Sequence, residues 1–190
     1  MSFTPGKIIK EFTTKSGKHA LIRYPTMDDV PALLAFINEV SLEDTFIRFS
    51  GEQQTLETEQ AYLQSEIDKM VKGDVVKLVC FVGDTFAGVC DVSRDVNLAT
   101  RRLHVGIFGL IIAREFRGDG IGKILAQTTI DEAKTEITGL HLIRLDCFSI
   151  NTPALTLYAK LGFKEWGRFQ GALFYKGEYV DEVHMALPTI

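Results

Sequence analysis

The spacing of apolar residues along the chain switches between the period of a helix and that of a strand. His19 to Tyr24 is a short run that stops at Pro25 and predicts a strand. Val30, Leu33, Leu34 and Ile37 then recur every three or four positions. They predict a helix to about Asn38, capped by Thr26 or Asp28. Residues 41–51, SLEDTFIRFSG, hold no steady period and predict a loop or short helix. A second helix is predicted from Leu56 to Val71, with Glu57, Glu59, Glu66 and Asp68 expected on a solvated face.

Beyond residue 74 the period shortens. Val75 to Val82 and Phe86 to Val92 predict two strands of a hairpin turning at Gly83-Asp84-Thr85. Leu103 to Ile112 predicts a third strand, and Ile121 to about Glu136 a helix. Leu142 to Phe148 predicts a strand and Thr152 to Leu161 a short helix. Phe163 to Phe169 and Tyr179 to Leu187 predict the last strands. The order implies an α+β or mixed α/β fold, a sheet with helices on its faces. No repeat or Pro- and Ser-rich linker divides the chain, so residues 19–187 are expected to form a single domain behind an N-terminal extension, residues 1–18.

Composition narrows the function. The chain has 190 residues, 46% apolar, with 13 Phe, enough for a packed core without metal or disulfides. A net charge of −4 disfavours a dedicated nucleic-acid or anionic-membrane binder. Cys80, Cys90 and Cys147 lie apart in apolar runs with no histidine at zinc spacing, so buried free thiols are expected and no metal site. That usage suits a reducing cytoplasm. The start MSFTPGKIIKEF is too polar for a signal peptide, and no apolar stretch reaches spanning length.

The chemistry concentrates in Arg117-Gly118-Asp119-Gly120-Ile121-Gly122-Lys123, between a predicted strand and a predicted helix. Glycine lets the backbone approach a ligand closely. The first N–H groups of the helix lack internal partners, and the helix dipole favours an anion there. Arg117 and Lys123 add positive charge, so the loop is a candidate phosphate cradle, the alternative being a glycine turn that binds nothing. Neither nucleotide spacing fits. A Walker loop would place its first glycine at Arg117 and its Ser/Thr at Ile124, and a G-x-G-x-x-G frame meets Lys123 or Leu125 at its third glycine.

The pattern R-x-x-G-x-G in IIAREFRGDGIGKIL, residues 111–125, resembles the GCN5-related N-acetyltransferase family. A second stretch, Asn151-Thr-Pro-Ala154-Leu-Thr-Leu157-Tyr158-Ala-Lys-Leu161-Gly162-Phe163, resembles that family's N-x-x-A-x-x-L-Y-x-x-x-G-F. The likeness extends over residues 19–187 and is weakest at the start. It implies a mixed, mostly antiparallel central sheet flanked by helices. It implies acetyl-CoA as co-substrate, with the pyrophosphate at Arg117, Gly118, Asp119, Gly120, Ile121, Gly122 and Lys123. It implies backbone bonds from Leu110, Ile111 and Ile112 to the pantetheine arm, and a coenzyme contact at Asn151. By the same resemblance Tyr158 protonates the leaving thiolate, with Asn151 beside it in the catalytic set. Spacing alone favours Tyr158 as a core residue on the face of Ala154, Leu157 and Leu161, and makes Asn151 or Thr152 a helix cap.

Acetyl transfer to an aliphatic amine requires a proton to be removed, because an ammonium titrates near pH 10.4. His104, Asp91, Glu43 and Asp44 are candidate bases, and none is singled out by its surroundings. Cys147 has no histidine partner and is expected to be inert. Glu43, Asp44 and Arg48 lie in the early segment that resembles the family's substrate-facing region, the acids drawing a cationic amine and Arg48 pairing with them or holding a carboxylate. The acceptor is expected to be a protein lysine or N-terminus, or a small amine or polyamine, with the protein a monomer or homodimer. A non-catalytic acyl-CoA sensor is the alternative, which Tyr158 disfavours.

Overall fold

A computed structural model describes residues 3–43, 45–47, 49–97 and 99–189 of the chain. It is a mixed α/β fold with a mostly antiparallel sheet flanked by helices, and its residues group into two compact units. The first comprises Met1–Ser93 with Gly109–Thr138, the second Arg94–Phe108 with Gly139–Ile190.

In the first unit β1 (Ile8–Thr13), β2 (His19–Arg23), β3 (Val75–Val82) and β4 (Thr85–Arg94) pair in sequence order, all antiparallel. β1 falls in the stretch from which sequence predicted no element. It forms a hairpin with β2 and leaves most of its own side chains exposed, so it has no apolar alternation to betray it. The helices are α1 (Val30–Leu42), α2 (Leu56–Val71) and α3 (Ile121–Glu136). α1 runs a turn beyond the predicted end because Val40 and Ser41 are still buried.

β3 is VVKLVCFV, buried at nearly every position, as expected of a strand covered on both faces. α2 and α3 both pack on it. In the register Leu78 faces Cys90, which touches Thr129 of α3, whereas Lys77 faces Asp91 on the opposite side, toward Tyr62 of α2. Thr55 and Thr58 cap α2 reciprocally: Thr55 Oγ1 accepts from the Thr58 N–H at 3.2 Å and Thr58 Oγ1 from the Thr55 N–H at 2.9 Å. The buried face of α2 is Glu59, Leu63, Glu66 and Met70, a helical stripe in which Leu63 alone contributes roughly 1.5–3 kcal/mol of burial. The expected solvated acids therefore divide: Glu57 and Asp68 are exposed, while Glu59 and Glu66 lie on the inward stripe.

β5 (Val105–Ile112) starts in the second unit and ends in the first. Its first half pairs in parallel with β6 (Leu142–Phe148). β6 pairs antiparallel with β8 (Glu178–Pro188), which pairs with β7 (Lys164–Tyr175). α4 (Thr152–Lys160) connects β6 to β7. Asp95, fully buried, is held here by Arg102 and Arg144 at 3.2 and 3.4 Å.

Candidate functional site

The glycine stretch between β5 and α3 forms a turn. Gly118 and Gly120 both take the left-handed conformation, with φ of +82° and +87°. Gly120 is the N-cap of α3, and no side chain caps that helix. Its first N–H groups are thus left without the usual capping acceptor, in a loop whose backbone no Cβ obstructs. Lys123 is exposed on the first turn, while Ile121 is buried and anchors the helix to the core.

The loop is held from two sides. Arg117 Nε donates to the Ile112 carbonyl at 2.9 Å, and its two terminal nitrogens reach Glu43 at 2.7 and 3.2 Å. Glu43 and Arg117, assigned from sequence to different halves of the site, therefore form one bidentate ion pair. Asp119 turns to the β1–β2 turn, where its carboxylate accepts from the Ser16 hydroxyl and N–H, each at 2.7 Å. Those Ser16 bonds hold the Asp119 carboxyl below the usual carboxylate range. The Lys15 side chain lies across Gly120, its Cε 3.4 Å from the position a Cβ would take.

Leu110, Ile111 and Ile112 are half-buried at the end of β5. Leu110 and Ile111 also border a cavity of about 320 Å³, whose other walls come from α1, α2, β3, β4 and, between α1 and α2, Phe49 and Gln54. Its lining is chiefly apolar, with Leu33, Phe36, Leu63 and Val89, and includes Glu59, Tyr62, Lys77 and Asp91. A Cβ on Gly109 would stand 3.2 Å from Asp91 Oδ1, so the glycine makes room for that carboxylate beside β5.

Lys77 is 3% exposed, a cation inside an apolar strand. Its Nζ donates to Tyr62 Oη at 2.8 Å and lies 3.4 Å from Asp91 and 3.5 Å from Glu66. Burial works against the ammonium, but Asp91, Tyr62 and Glu66 outweigh it and hold its pKa above the ordinary lysine value. Asp91 also accepts from the Ser93 hydroxyl at 3.1 Å. Glu59, 6% exposed, has no side-chain hydrogen bond or ion pair with a described residue, and burial pushes its carboxyl up against the weaker pull of Lys77. Sequence reasoning missed Lys77, Tyr62 and Glu59. The one available signal was a lysine in the middle of VVKLVCFV, which is costly unless paired.

In the second unit Asn151 Oδ1 accepts from the Ala154 N–H at 3.3 Å, the capping role open from spacing. Tyr158 is half-buried on α4, its ring edge-on to Phe108 at 5.8 Å and near Phe163 at 6.0 Å. His104 is exposed just before β5 and its carbonyl accepts from His141 and Leu142 N–H groups. The three thiols are buried and free, Cys80 pushed up to about 12 and Cys147 to about 11 by burial, which suits inert side chains. Asp44 and Arg48 lie outside the described residues.

The model of the Acetyltransferase (GNAT) family matches residues 39–163, and the chain belongs to that family. It is 30% identical over 109 residues to the L-amino acid N-acetyltransferase AaaT of Escherichia coli, covering 57% of this chain and 65% of that protein. It is 27% identical over 151 residues to an N-alpha-acetyltransferase of Sulfurisphaera tokodaii, covering 80% of this chain and 84% of the relative. Among solved structures, a GNAT-family acetyltransferase from Streptococcus pneumoniae superposes with a TM-score of 0.80 at 26% identity, over 89% of this chain and 98% of the other.

Proposed function

We propose that the protein is an acetyl-CoA-dependent N-acetyltransferase that acetylates a primary amine by direct attack in a ternary complex. The observation that carries this reading is the uncapped N-terminus of α3, opened by left-handed Gly120. An anionic phosphate is what such a terminus accepts. The N–H groups of residues 120–123 would hold the pyrophosphate, and the backbone of Leu110, Ile111 and Ile112 the pantetheine arm. The Glu43–Arg117 pair and the Ser16–Asp119 bonds fix the loop beforehand. When bound, the coenzyme supplies an acetyl group activated as a thioester.

The amine loses a proton, and its nitrogen lone pair attacks the acetyl carbonyl. A C–N bond forms, the C–S bond breaks, and Tyr158 gives its phenolic proton to the departing sulfur. Once the C–N bond has formed the nitrogen sheds a second proton, which restores the phenol through solvent, so that as the acetyl group passes to nitrogen one proton ends on the thiol and the other in solvent. Asn151 fixes the start of the helix that carries Tyr158.

Calorimetric titration with acetyl-CoA, followed by thiol release in the presence of primary amines, tests the reading. Wild type should bind and turn over. Gly120→Val, which puts a branched side chain where φ is +87°, should lose binding at an unchanged circular-dichroism spectrum. Equal affinity in the folded variant would reject the cradle. Tyr158→Phe should bind normally and lose roughly 100-fold or more in turnover. Binding without turnover in wild type would make the protein an acyl-CoA sensor.

A further inference from the structure

The acceptor is constrained by the cavity bounded by α1, α2, β3, β4 and the end of β5. Its charged lining among the described residues is Glu59, Asp91 and Lys77. Lys77 Nζ already has three oxygen partners within 3.5 Å, so it has no valence left for a substrate anion. Asp91 is engaged by Lys77 and Ser93. Glu59 alone is both 6% exposed and without a side-chain partner among the described residues. Its oxygens are not enclosed by protein but open to the cavity, where a ligand that supplies N–H donors and positive charge can meet them. The rest of the lining is apolar at Leu33, Phe36, Leu63 and Val89, with uncharged polar side chains only at Gln54, Thr58 and Tyr62 among the described residues.

Resting on the N-acetyltransferase reading, we propose that Glu59 receives the acceptor's ammonium, and that the acceptor is a primary amine on an apolar stem with no free carboxylate nearby. A free amino acid would bring its carboxylate among Glu59 and Asp91, where no described residue of the lining offers an unpaired cation to meet it. A polyamine would bring further ammonium groups into apolar walls that offer one open carboxylate. An N-terminal apolar residue of a peptide, or an alkylamine, meets both conditions. The relative AaaT carries the name of an L-amino acid N-acetyltransferase, and a free amino acid is the kind of acceptor that this proposal excludes.

Thiol release with saturating acetyl-CoA, compared across leucine, leucinamide, a leucyl peptide, 3-methylbutylamine and spermidine, tests the inference. Leucinamide, the peptide or the alkylamine should exceed leucine and spermidine in kcat/KM by at least about tenfold, the ratio worth one well-made charge contact. Preference for the peptide identifies a protein N-terminus as the source of the amine, and preference for 3-methylbutylamine a small metabolite. Glu59→Gln keeps the shape of the side chain and should raise the KM of the preferred amine about tenfold or more, with the acetyl-CoA KM unchanged. Glu59→Asp, retaining the charge, should recover part of that loss. Leucine used as well as leucinamide, spermidine preferred, or an unchanged acceptor KM in Glu59→Gln overturns the proposal. So does acetyl-CoA binding with no amine of the panel consumed. Failure of wild type to bind acetyl-CoA is a different result, which removes the acetyltransferase reading itself.

Discussion

Glu59 and Glu66 sit two turns apart on the same inward stripe of α2, with exposures of 6% and 5%. Around Glu66 every charge is answered: Lys69 donates to it at 2.8 Å, and Lys77 lies 3.5 Å away and continues to Tyr62 and Asp91. Around Glu59 the cavity begins, and no described side chain bonds to it. One helix thus buries two identical groups in opposite ways. Where burial serves only packing, the protein supplies the partner; where a cavity adjoins, the partner is left to come from outside. Removing a charge near Glu66 should therefore destabilise, and removing it at Glu59 should not.

Lys77→Met should break the contrast hardest. The methionine fills a similar volume but leaves Glu66 and Asp91 facing each other across the vacated position. The expected loss is about 3–5 kcal/mol, read from urea or thermal unfolding. An unchanged melting temperature would show that the buried pair contributes nothing. Glu66→Gln comes next, since Lys77 keeps Asp91 and Tyr62 while losing one oxygen partner's charge. Roughly 1–3 kcal/mol should disappear from the unfolding free energy. Tyr62→Phe removes one neutral acceptor from Lys77 and should cost about 1 kcal/mol in the same assay.

Glu59→Gln should have the smallest effect and the opposite sign. Burial raises the Glu59 carboxyl in the folded chain, so the folded state holds that proton more tightly than the unfolded state. The cost of ionising it is absent below about pH 4, near the ordinary glutamate value, grows as pH rises past it, and is complete above the raised folded value. Melting curves of the glutamine variant and wild type should coincide in acid and separate toward neutral pH, the variant being the more stable. A wild type that is the more stable at neutral pH would mean that Glu59 has a partner within the protein. Saturation with the preferred amine should narrow the gap at neutral pH, because the ligand then stabilises wild type more.

Much of the fold was legible because the patterning is local. The hairpin at residues 83–85, α2, α3 and the β6–α4 succession follow from runs whose period and punctuation agree, as when Asn151 and Gly162 bracket α4. The cradle was legible for the same reason: glycines at 118 and 120, between strand and helix, state a backbone requirement that the left-handed angles meet. β1 was not legible, since an exposed edge strand lacks alternation. Nor was the end of α1 or the extent of β7, where tertiary contact and strand pairing carry the elements past their local signals.

The sequence by itself determined the order of elements from β2 onward, the glycine turn that opens α3 and the burial of three thiols in apolar runs, because each depends on neighbours within a few residues. Only the tertiary structure decided which charges meet. Glu43 is separated from Arg117 by most of the first unit, and Ser16 from Asp119 by more, yet both pairs lie within hydrogen-bond distance. Glu59 and Glu66 are indistinguishable as letters on one helical stripe. The strand opposite them carries a single lysine, and the register that sets Lys77 across from Asp91 brings its ammonium within reach of Glu66 while Glu59 faces the cavity. Electrostatic pairing acts over a few ångströms in space, so it is fixed by strand register and helix packing, which no local pattern encodes.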